Sequence, residues 1–227
     1  MMERFFPDRA ALRRRFLSAK AWVLAAAGLG LVLACGPALA TELTIGADIW
    51  CPYNCAEDAT QPGFLVEIAR RALNREDRTV RYRVLPWTRA LQETQEARLD
   101  AAIGVVSGNY RDLILNRVSL GKDQTVVVTR REQAFEYRGV DSLRELLLGV
   151  VADYTYDANG PIDQYVWGND SQSQVIVLHR ENALELLMGM LHQRRIDGFL
   201  ENRHVAAYTA SRMNLAQHFR YAEIGGG

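Results

Sequence analysis

The chain has 227 residues, 48% of them hydrophobic, and its 27 basic and 27 acidic side chains balance to zero net charge. Six of the basic and two of the acidic residues lie in the first 40 positions, which leaves 21 and 25 in the remainder and a net charge of −4 there. That remainder contains no block of Lys and Arg, which argues against nucleic acid as a partner. It also contains no apolar stretch of about 18 residues, no low-complexity segment and no repeat. We therefore expect a soluble protein of one ordinary domain or two small ones.

The first 40 residues have the three parts of a bacterial secretory signal peptide. A leader with six basic residues precedes an apolar run, Ala21–Ala34, and Ala38-Leu39-Ala40 offers small residues for cleavage after Ala40. The run is shorter than the roughly 20 residues of a membrane span, although a retained N-terminal anchor is an alternative. Val32-Leu33-Ala34-Cys35 also resembles a lipoprotein box, so lipid attachment at Cys35 is a second alternative. We expect residues 1–40 to direct export to the periplasm.

Cys51 and Cys55 are the cysteines that remain after cleavage at Ala40. The Pro-Tyr-Asn sequence between them has turn chemistry, which brings the two Cα atoms within bridging range. A close pair of this kind in an oxidising compartment predicts a disulfide, which would stiffen the loop after the first strand. A zinc site would need two more ligands, and the four histidines have no suitable spacing. We predict a disulfide and no metal.

The residues after the leader alternate between short β-type runs and helical periodicity. In a first series we predict helices over Gly63–Asn74 and Pro86–Arg98, and strands over Leu43–Asp48, Val80–Leu85 and Ala101–Val106. Proline suits the first turn of the second helix, and the continuous apolar run of the third strand is typical of a buried parallel strand. This β-α-β-α-β order predicts a parallel sheet covered by helices.

A second series follows Gly139, beginning with Ser142-Leu143-Arg144-Glu145, a sequence that fits a capping box opening a short helix. The β-rich run Gln124–Arg130 precedes this series and is placed to cross from one unit to the other. Two α/β units joined by extended strands predict a cleft for a small ligand between a lobe at 41–125 and a lobe at 126–224. The elements predicted for the second unit are strands Gly149–Ala152, Gln174–Leu178 and Ile196–Leu200, and helices Pro161–Trp167, Glu181–Arg194 and Arg203–Met213.

Seven short motifs, taken together and in order, resemble the bacterial extracellular solute-binding proteins of family 3. They are Trp50-Cys51-Pro52-Tyr53-Asn54, Gly63–Ile68, Leu85–Leu91, Leu99–Gly104, Tyr137–Leu143, Gly149–Tyr156 and Arg195–Glu201. Proteins of this family carry polar amino acids and similar solutes to ABC importers. The resemblance implies an α/β, two-lobed periplasmic-binding-protein fold of type 2, with the ligand cleft between the lobes.

The chain also departs from the pattern of this family. In its amino-acid binders a lobe-one arginine pairs with the α-carboxylate of the ligand, and Arg111 is the nearest candidate. The second-lobe carboxylate that holds the ammonium would fall at Asn202, directly after Glu201, which weakens the case for an α-amino acid. The chain stops at a glycine tail, 225–227, where the family's chain returns to lobe one. We therefore expect a divergent member with C-terminal truncation or gene degradation, lacking the usual return segment, and a monomer if the fold is complete.

The candidate ligand-binding residues lie mainly at strand ends, where ligands bind in α/β sheets. Aromatic residues would stack on the ligand, although packing on the sheet is the alternative for Trp87. Arg89 would bind an anion, or else form a surface ion pair with Glu93. The full set is Trp50, Tyr53, Trp87, Arg89, Arg111, Asp153, Tyr154, Tyr156 and Glu201.

The part of the sequence after residue 40 contains no G-x-S-x-G, H-E-x-x-H or P-loop motif, so we predict neither an enzyme nor a cofactor. The leading hypothesis is periplasmic binding of a small polar solute, an amino acid or related compound, for delivery to an ABC permease by cleft closure. A periplasmic sensor that signals to a partner in the inner membrane is the first alternative. A lyase or dehydratase on the same scaffold is the second.

Overall fold

The computed structural model describes residues 41–105, 113–168, 174–180 and 182–224. The predicted signal peptide, the glycine tail and Arg111 lie outside these ranges. The described residues belong to one compact unit. Within them, no helix combines the length and the apolar character needed to cross a bilayer.

The first sheet is parallel, with strand order β2-β1-β3. Helix α1 packs against β2, and helix α2 packs against β1 and β3. This β-α-β-α-β unit has the order and the parallel pairing that the apolar pattern predicted. Its elements are β1 (Thr41–Ala47), α1 (Phe64–Asn74), β2 (Arg78–Val84), α2 (Trp87–Gln95) and β3 (Ala101–Ala102).

The second sheet is mixed, with strand order β6-β5-β7-β4-β8. Strand β5 runs parallel to β6 and β7, whereas β4 runs antiparallel to both β7 and β8. Its strands are β4 (Thr125–Arg130), β5 (Leu148–Val151), β6 (Val175–Leu178), β7 (Gly198–Asn202) and β8 (Phe219–Glu223). Its helices are α3 (Pro161–Trp167), α4 (Ala183–His192) and α5 (Arg203–Arg212), with 3-10 turns at Val140–Glu145 and Ala216–His218.

Apolar side chains cover both faces of the second sheet. On one face, α4 buries Leu187, Met188 and Leu191 in a cluster that also includes Val205 of α5. On the other face, the first 3-10 turn and α3 form a second buried cluster around Leu143. Because both faces are covered, the central strands β5 and β7 are buried along their whole length.

The third strand is shorter than the predicted Ala101–Val106. It ends at Ala102, and the backbone turns at Gly104, whose φ of 91° lies in the left-handed region that favours glycine. The apolar run therefore continues past the strand into a turn, and Val106 lies outside the described residues.

The predicted capping box at Ser142 is wrong. The 3-10 turn begins at Val140, and the Ser142 hydroxyl donates a hydrogen bond of 2.6 Å to the carbonyl oxygen of Gly139. Ser142 is therefore the third residue of the turn and does not cap its start. Pro86 was predicted in the first turn of the second helix. It lies instead at the N-cap position, one residue before α2 begins. The run predicted to cross between units, Gln124–Arg130, forms β4 and lies inside the second sheet.

Candidate ligand-binding cleft

A cleft lies where the strand ends of the two sheets meet. From the first sheet, Asp48 and Trp50 follow β1, and Trp87 and Gly104 follow β2 and β3. From the second sheet, the segments after β5 and at the end of β7 face them, together with the start of β4, which runs antiparallel to β7. Carboxyl ends of strands are the usual ligand-binding edge of α/β sheets. The second-sheet residues that line the cleft are Asp123, Thr125, Tyr154, Thr155, Tyr156, Glu201 and Asn202.

The loop that carries Trp50 is braced at both ends. Cys51 and Cys55 form a disulfide, which confirms the predicted pair. The loop ends at Gly63, which has φ 102° and packs so closely that a Cβ would lie 2.3 Å from the carbonyl oxygen of Tyr53. Because glycine is required there by both conformation and space, the loop is fixed against α1.

Two hydrogen bonds connect the first-sheet side of the cleft to the second. The Trp50 indole Nε1 donates to Glu201 Oε1 over 2.8 Å. The Tyr154 hydroxyl donates to Asp48 Oδ2. Each bond joins a residue after β1 to a residue on the side of the second sheet. The two sides of the cleft are therefore in direct contact through their side chains. The space left free between them is about 30 Å³.

Trp87 and Thr88, at the start of α2, make a second set of contacts across the cleft. Trp87 Nε1 donates to the carbonyl oxygen of Asp153 over 3.2 Å, and the Thr88 hydroxyl donates to the Asp153 carboxylate. The Trp87 ring also meets Tyr154 edge-on, with centroids 6.3 Å apart. The backbone of Asp153, which presents both groups to α2, is in the left-handed region, at φ 59°.

Glu201 is the most unusual side chain in the cleft. It is 2% exposed, and its Oε1 accepts hydrogen bonds from Trp50 and, over 2.7 Å, from the backbone N–H of Asn202. Its Oε2 is buried and has no hydrogen-bond partner within the part of the chain that the structure describes. Burial raises the pKa of Glu201 from 4.5 to about 8, against the lowering effect of these two hydrogen bonds. Asp48 and Asp123 add a smaller rise, because like charges disfavour ionisation.

The other two carboxyl groups of the cleft are also shifted. Burial raises the pKa of Asp48 from 3.8 to about 6, although the hydrogen bond from Tyr154 acts in the opposite direction. Burial likewise raises the pKa of Asp123, against the hydrogen bond that Asn202 Nδ2 donates over 2.6 Å. The cleft therefore concentrates acidic groups in an environment that disfavours their charged forms.

The structure brings five of the predicted site residues to the cleft wall: Trp50, Trp87, Tyr154, Tyr156 and Glu201. Asp153 lies beside them, bound to α2 as described above. Tyr53 is not among the residues that line the cleft. It packs in the apolar cluster and stacks on Trp50 with ring centroids 4.5 Å apart, and its side chain hydrogen-bonds to Asn202. It supports Trp50 and does not itself line the cleft.

Arg89 lies in a second groove next to the cleft. Its Nε is 2.7 Å from Glu93 Oε1, which is the ion pair that the sequence left open as the alternative to anion binding, and this bond lowers the pKa of Glu93. The groove has a volume of about 460 Å³ and shares Asp48 and Trp87 with the cleft. Its remaining basic residues are Arg98, which is paired with Glu96, and His179 and Arg180.

Sequence reasoning missed six residues that line the cleft: Asp48, Gly104, Asp123, Thr125, Thr155 and Asn202. Asp48 ends the predicted first strand, and polar residues at that end of a parallel strand point to a ligand edge. That signal was present in the sequence. Asp123 and Thr125 gave no such signal, because their place depends on β4 pairing with β7. Asn202 was considered only as the residue that replaces a carboxylate.

Two facing α/β sheets with a cleft at their strand ends define the two-lobed fold of periplasmic binding proteins, as the sequence predicted. The sequence matches no protein-family model and no curated protein. Among solved structures, the chain is similar to a substrate-binding protein of an ABC uptake transporter from Streptococcus pneumoniae with bound histidine. The TM-score is 0.67 at 18% identity, over 82% of this chain and 76% of that one.

Two further solved structures share the fold. An ancestral arginine-binding protein bound to arginine gives a TM-score of 0.66 at 15% identity, over 83% of this chain and 82% of that one. A histidine kinase sensor domain with similarity to periplasmic binding proteins gives 0.63 at 17% identity, over 82% and 78%. At these identities the likeness establishes the fold and leaves the ligand to be argued from the cleft itself.

Proposed function

We propose that the chain is a periplasmic solute-binding protein whose two lobes, built on the first and the second sheet, close on a small polar solute for delivery to an ABC importer. The observation that carries the proposal is the set of direct hydrogen bonds across the cleft, of which Trp50 to Glu201 is the best formed. Side chains that meet in this way can grip a solute from both sides when the lobes close.

Closure works by differential affinity. A solute that contacts both lobes only in the closed form shifts the equilibrium toward that form, which a permease then recognises. The fold supports this role, since the similar structures include the substrate-binding protein of an uptake transporter with bound histidine. We propose that the cleft binds the solute without catalysis.

A sensor is the second candidate, favoured by the similarity to a histidine kinase sensor domain. The same closure would then be transmitted to a partner in the inner membrane. Solute uptake that is lost when the gene is deleted would support the transport role. Unchanged uptake together with a lost transcriptional response to the solute would support the sensor.

We also propose that residues 1–40 are a signal peptide. Mass spectrometry of protein isolated after expression of the full chain in a Gram-negative host would locate the new N-terminus. Cleavage after Ala40 gives a chain that starts at Thr41, whereas a lipid-modified Cys35 identifies the lipoprotein alternative. Unprocessed protein in the cytoplasm contradicts export.

A thermal-shift screen of the purified protein against amino acids, organic acids and polyamines tests the binding function. We expect a subset of solutes to raise the melting temperature, and small-angle scattering to detect a more compact form of the protein with them. Absence of any shift across the panel would contradict the binding role. Conversion of a bound solute, followed by NMR, would instead favour a lyase or dehydratase.

A further inference from the structure

One carboxyl oxygen of Glu201 has no hydrogen-bond donor among the residues that the structure describes. Glu201 lines the cleft, and its Oε1 is already occupied by two donors, Trp50 Nε1 and the backbone N–H of Asn202. Its Oε2 is buried without a partner in the described residues. A buried carboxyl oxygen left unpaired is costly, so a ligand that donates to Oε2 gains a stabilisation that the described residues do not supply.

Aromatic rings form much of the wall around this oxygen. Trp50 and Trp87 come from the first-sheet side, and Tyr154 and Tyr156 from the second. The faces of such rings attract cations, tryptophan most strongly, and they also shield an organic cation from water. Carboxyl groups and aromatic rings together are the surroundings that an ammonium or guanidinium group prefers.

The charges of the wall favour the same ligand. The lining residues of the cleft include the carboxyl groups of Asp48, Asp123 and Glu201, and no Lys, Arg or His among those that the structure describes. Two arginines of the neighbouring groove, Arg89 and Arg98, are paired with glutamates, and Arg203, which follows Asn202, is paired with Glu223. The carboxyl groups of the cleft therefore have no basic side chain of the described wall to balance them.

We propose that the solute is a compact organic cation, an amine or guanidinium compound, held between the aromatic rings and the free oxygen of Glu201, with no carboxylate required. This inference rests on the proposed binding function and names the class of its ligand. The free space between the cleft side chains is about 30 Å³, so a solute must displace the contact between Trp50 and Glu201 and part the lobes slightly.

Binding of a cation would also release a proton. The raised pKa of Glu201, about 8, keeps this carboxyl group protonated at neutral pH, and a cation beside it favours the charged form. The ionisable groups that face it are Asp48 and Tyr53 after β1, Asp123 before β4, and Tyr154 and Tyr156 after β5. Burial raises the pKa values of all five groups. Affinity for a cation of fixed charge should therefore rise with pH, by roughly 10- to 100-fold between pH 6 and 9, since only the ionised fraction binds it well.

Isothermal titration with four probes tests the inference: choline and agmatine as cations, arginine as a cation with a carboxylate, and glutamate as an anion. We expect choline or agmatine to bind at pH 8.5 and glutamate to bind at least about tenfold more weakly. Glu201→Gln should weaken binding of the cation at least about tenfold and remove most of its pH dependence. Glu136→Gln, a change at an exposed glutamate outside the cleft wall, should alter neither.

The outcomes separate this inference from the proposed function. Binding of glutamate, or of arginine alone among the basic probes, would overturn the cation class as stated and leave the solute-binding role in place. Cation affinity that is unchanged in Glu201→Gln would also overturn it. Absence of binding for all four probes overturns the inference, and the function then depends on the wider thermal-shift screen. Circular dichroism at pH 5.5 would detect unfolding of Glu201→Gln. In that case Trp50→Phe would serve as the second variant, because it removes the indole N–H that competes with the solute for Glu201.

Discussion

Glu201→Gln should change how the stability of the protein depends on pH. In the folded protein the pKa of Glu201 is raised from 4.5 to about 8, so the folded state keeps a proton that the unfolded state has already released. Stability therefore falls as pH rises between these two values, because the unfolded state binds fewer protons. Below about pH 4.5 and above about pH 8 this carboxyl group adds no further slope. Glutamine cannot ionise, so the variant loses this contribution.

The size of the effect follows from the shift. One pKa unit corresponds to about 1.36 kcal/mol, so the rise from 4.5 to about 8 gives an upper limit of about 4–5 kcal/mol at pH 8.5. Parting of the lobes would hydrate the carboxylate and recover some of this cost, which is why the figure is a limit. At pH 5 the variant and the parent should agree within about 1 kcal/mol, because the amide oxygen can still accept from Trp50 and Asn202.

Urea denaturation at pH 5, 6.5 and 8.5 and constant ionic strength measures this difference on protein purified after expression of the full chain. The parent should lose stability with rising pH, and Glu201→Gln should lose clearly less. Asp48, with a pKa of about 6, contributes a slope of the same sign below about pH 6 in both proteins. Glu136→Gln should follow the parent. Parallel curves for the parent and Glu201→Gln would refute the reasoning that burial dominates the titration of this group.

Three further changes test the loop that carries the first-sheet wall of the cleft. Trp50→Ala should weaken binding of the solute by about 1–3 kcal/mol in isothermal titration with little change in circular dichroism; unchanged affinity would place Trp50 outside the binding surface. Replacement of both Cys51 and Cys55 by serine should lower the free energy of unfolding by about 2 kcal/mol and remove its sensitivity to reductant, and equal stability of the oxidised parent and the double variant would refute a bracing role. Gly63→Ala should cost at least about 2 kcal/mol because its φ is 102° and a Cβ would meet a backbone carbonyl. Gly189→Ala, inside α4 with open space around it, should instead be neutral or stabilising by up to about 1 kcal/mol in the same urea series.

The elements that the sequence predicted well are those with a strong local pattern. Helix Pro161–Trp167 was predicted with its observed bounds, since proline at its first position and an apolar stripe are both local signals. The last strand, Phe219–Glu223, was missed although its residues alternate, because its existence depends on pairing with β4, far away in the sequence. The prediction of a capping box at Ser142 was wrong for a similar reason. The serine pattern is local, but the 3-10 turn begins earlier, directly after Gly139, whose φ is positive.

The cleft could be predicted in part, for a related reason. Aromatic and acidic residues at or near strand ends, such as Trp50, Tyr154 and Glu201, could be named as candidates because strand ends are the ligand edge. The sequence does not show how deeply each carboxyl group is buried, so it does not predict the raised pKa values of Asp48 and Glu201. The sequence also leaves open whether Arg89 binds an anion or pairs with Glu93 at i+4, since both roles use the same side chain.

The hydrogen bonds across the cleft and the unpaired oxygen of Glu201 act in opposite directions on closure. A protein that works by closing must not close too firmly alone, because a solute can shift the equilibrium only by its differential affinity for the two forms. The bonds of Trp50 and Tyr154 favour the closed form. The burial of Glu201, with one oxygen that has no partner in the described part of the chain, opposes it. A solute that pairs with this oxygen removes a cost that exists only when the lobes are closed. Its differential affinity therefore includes the relief of that cost in addition to its own contacts, which makes Glu201 the residue through which a ligand would gain most control over closure.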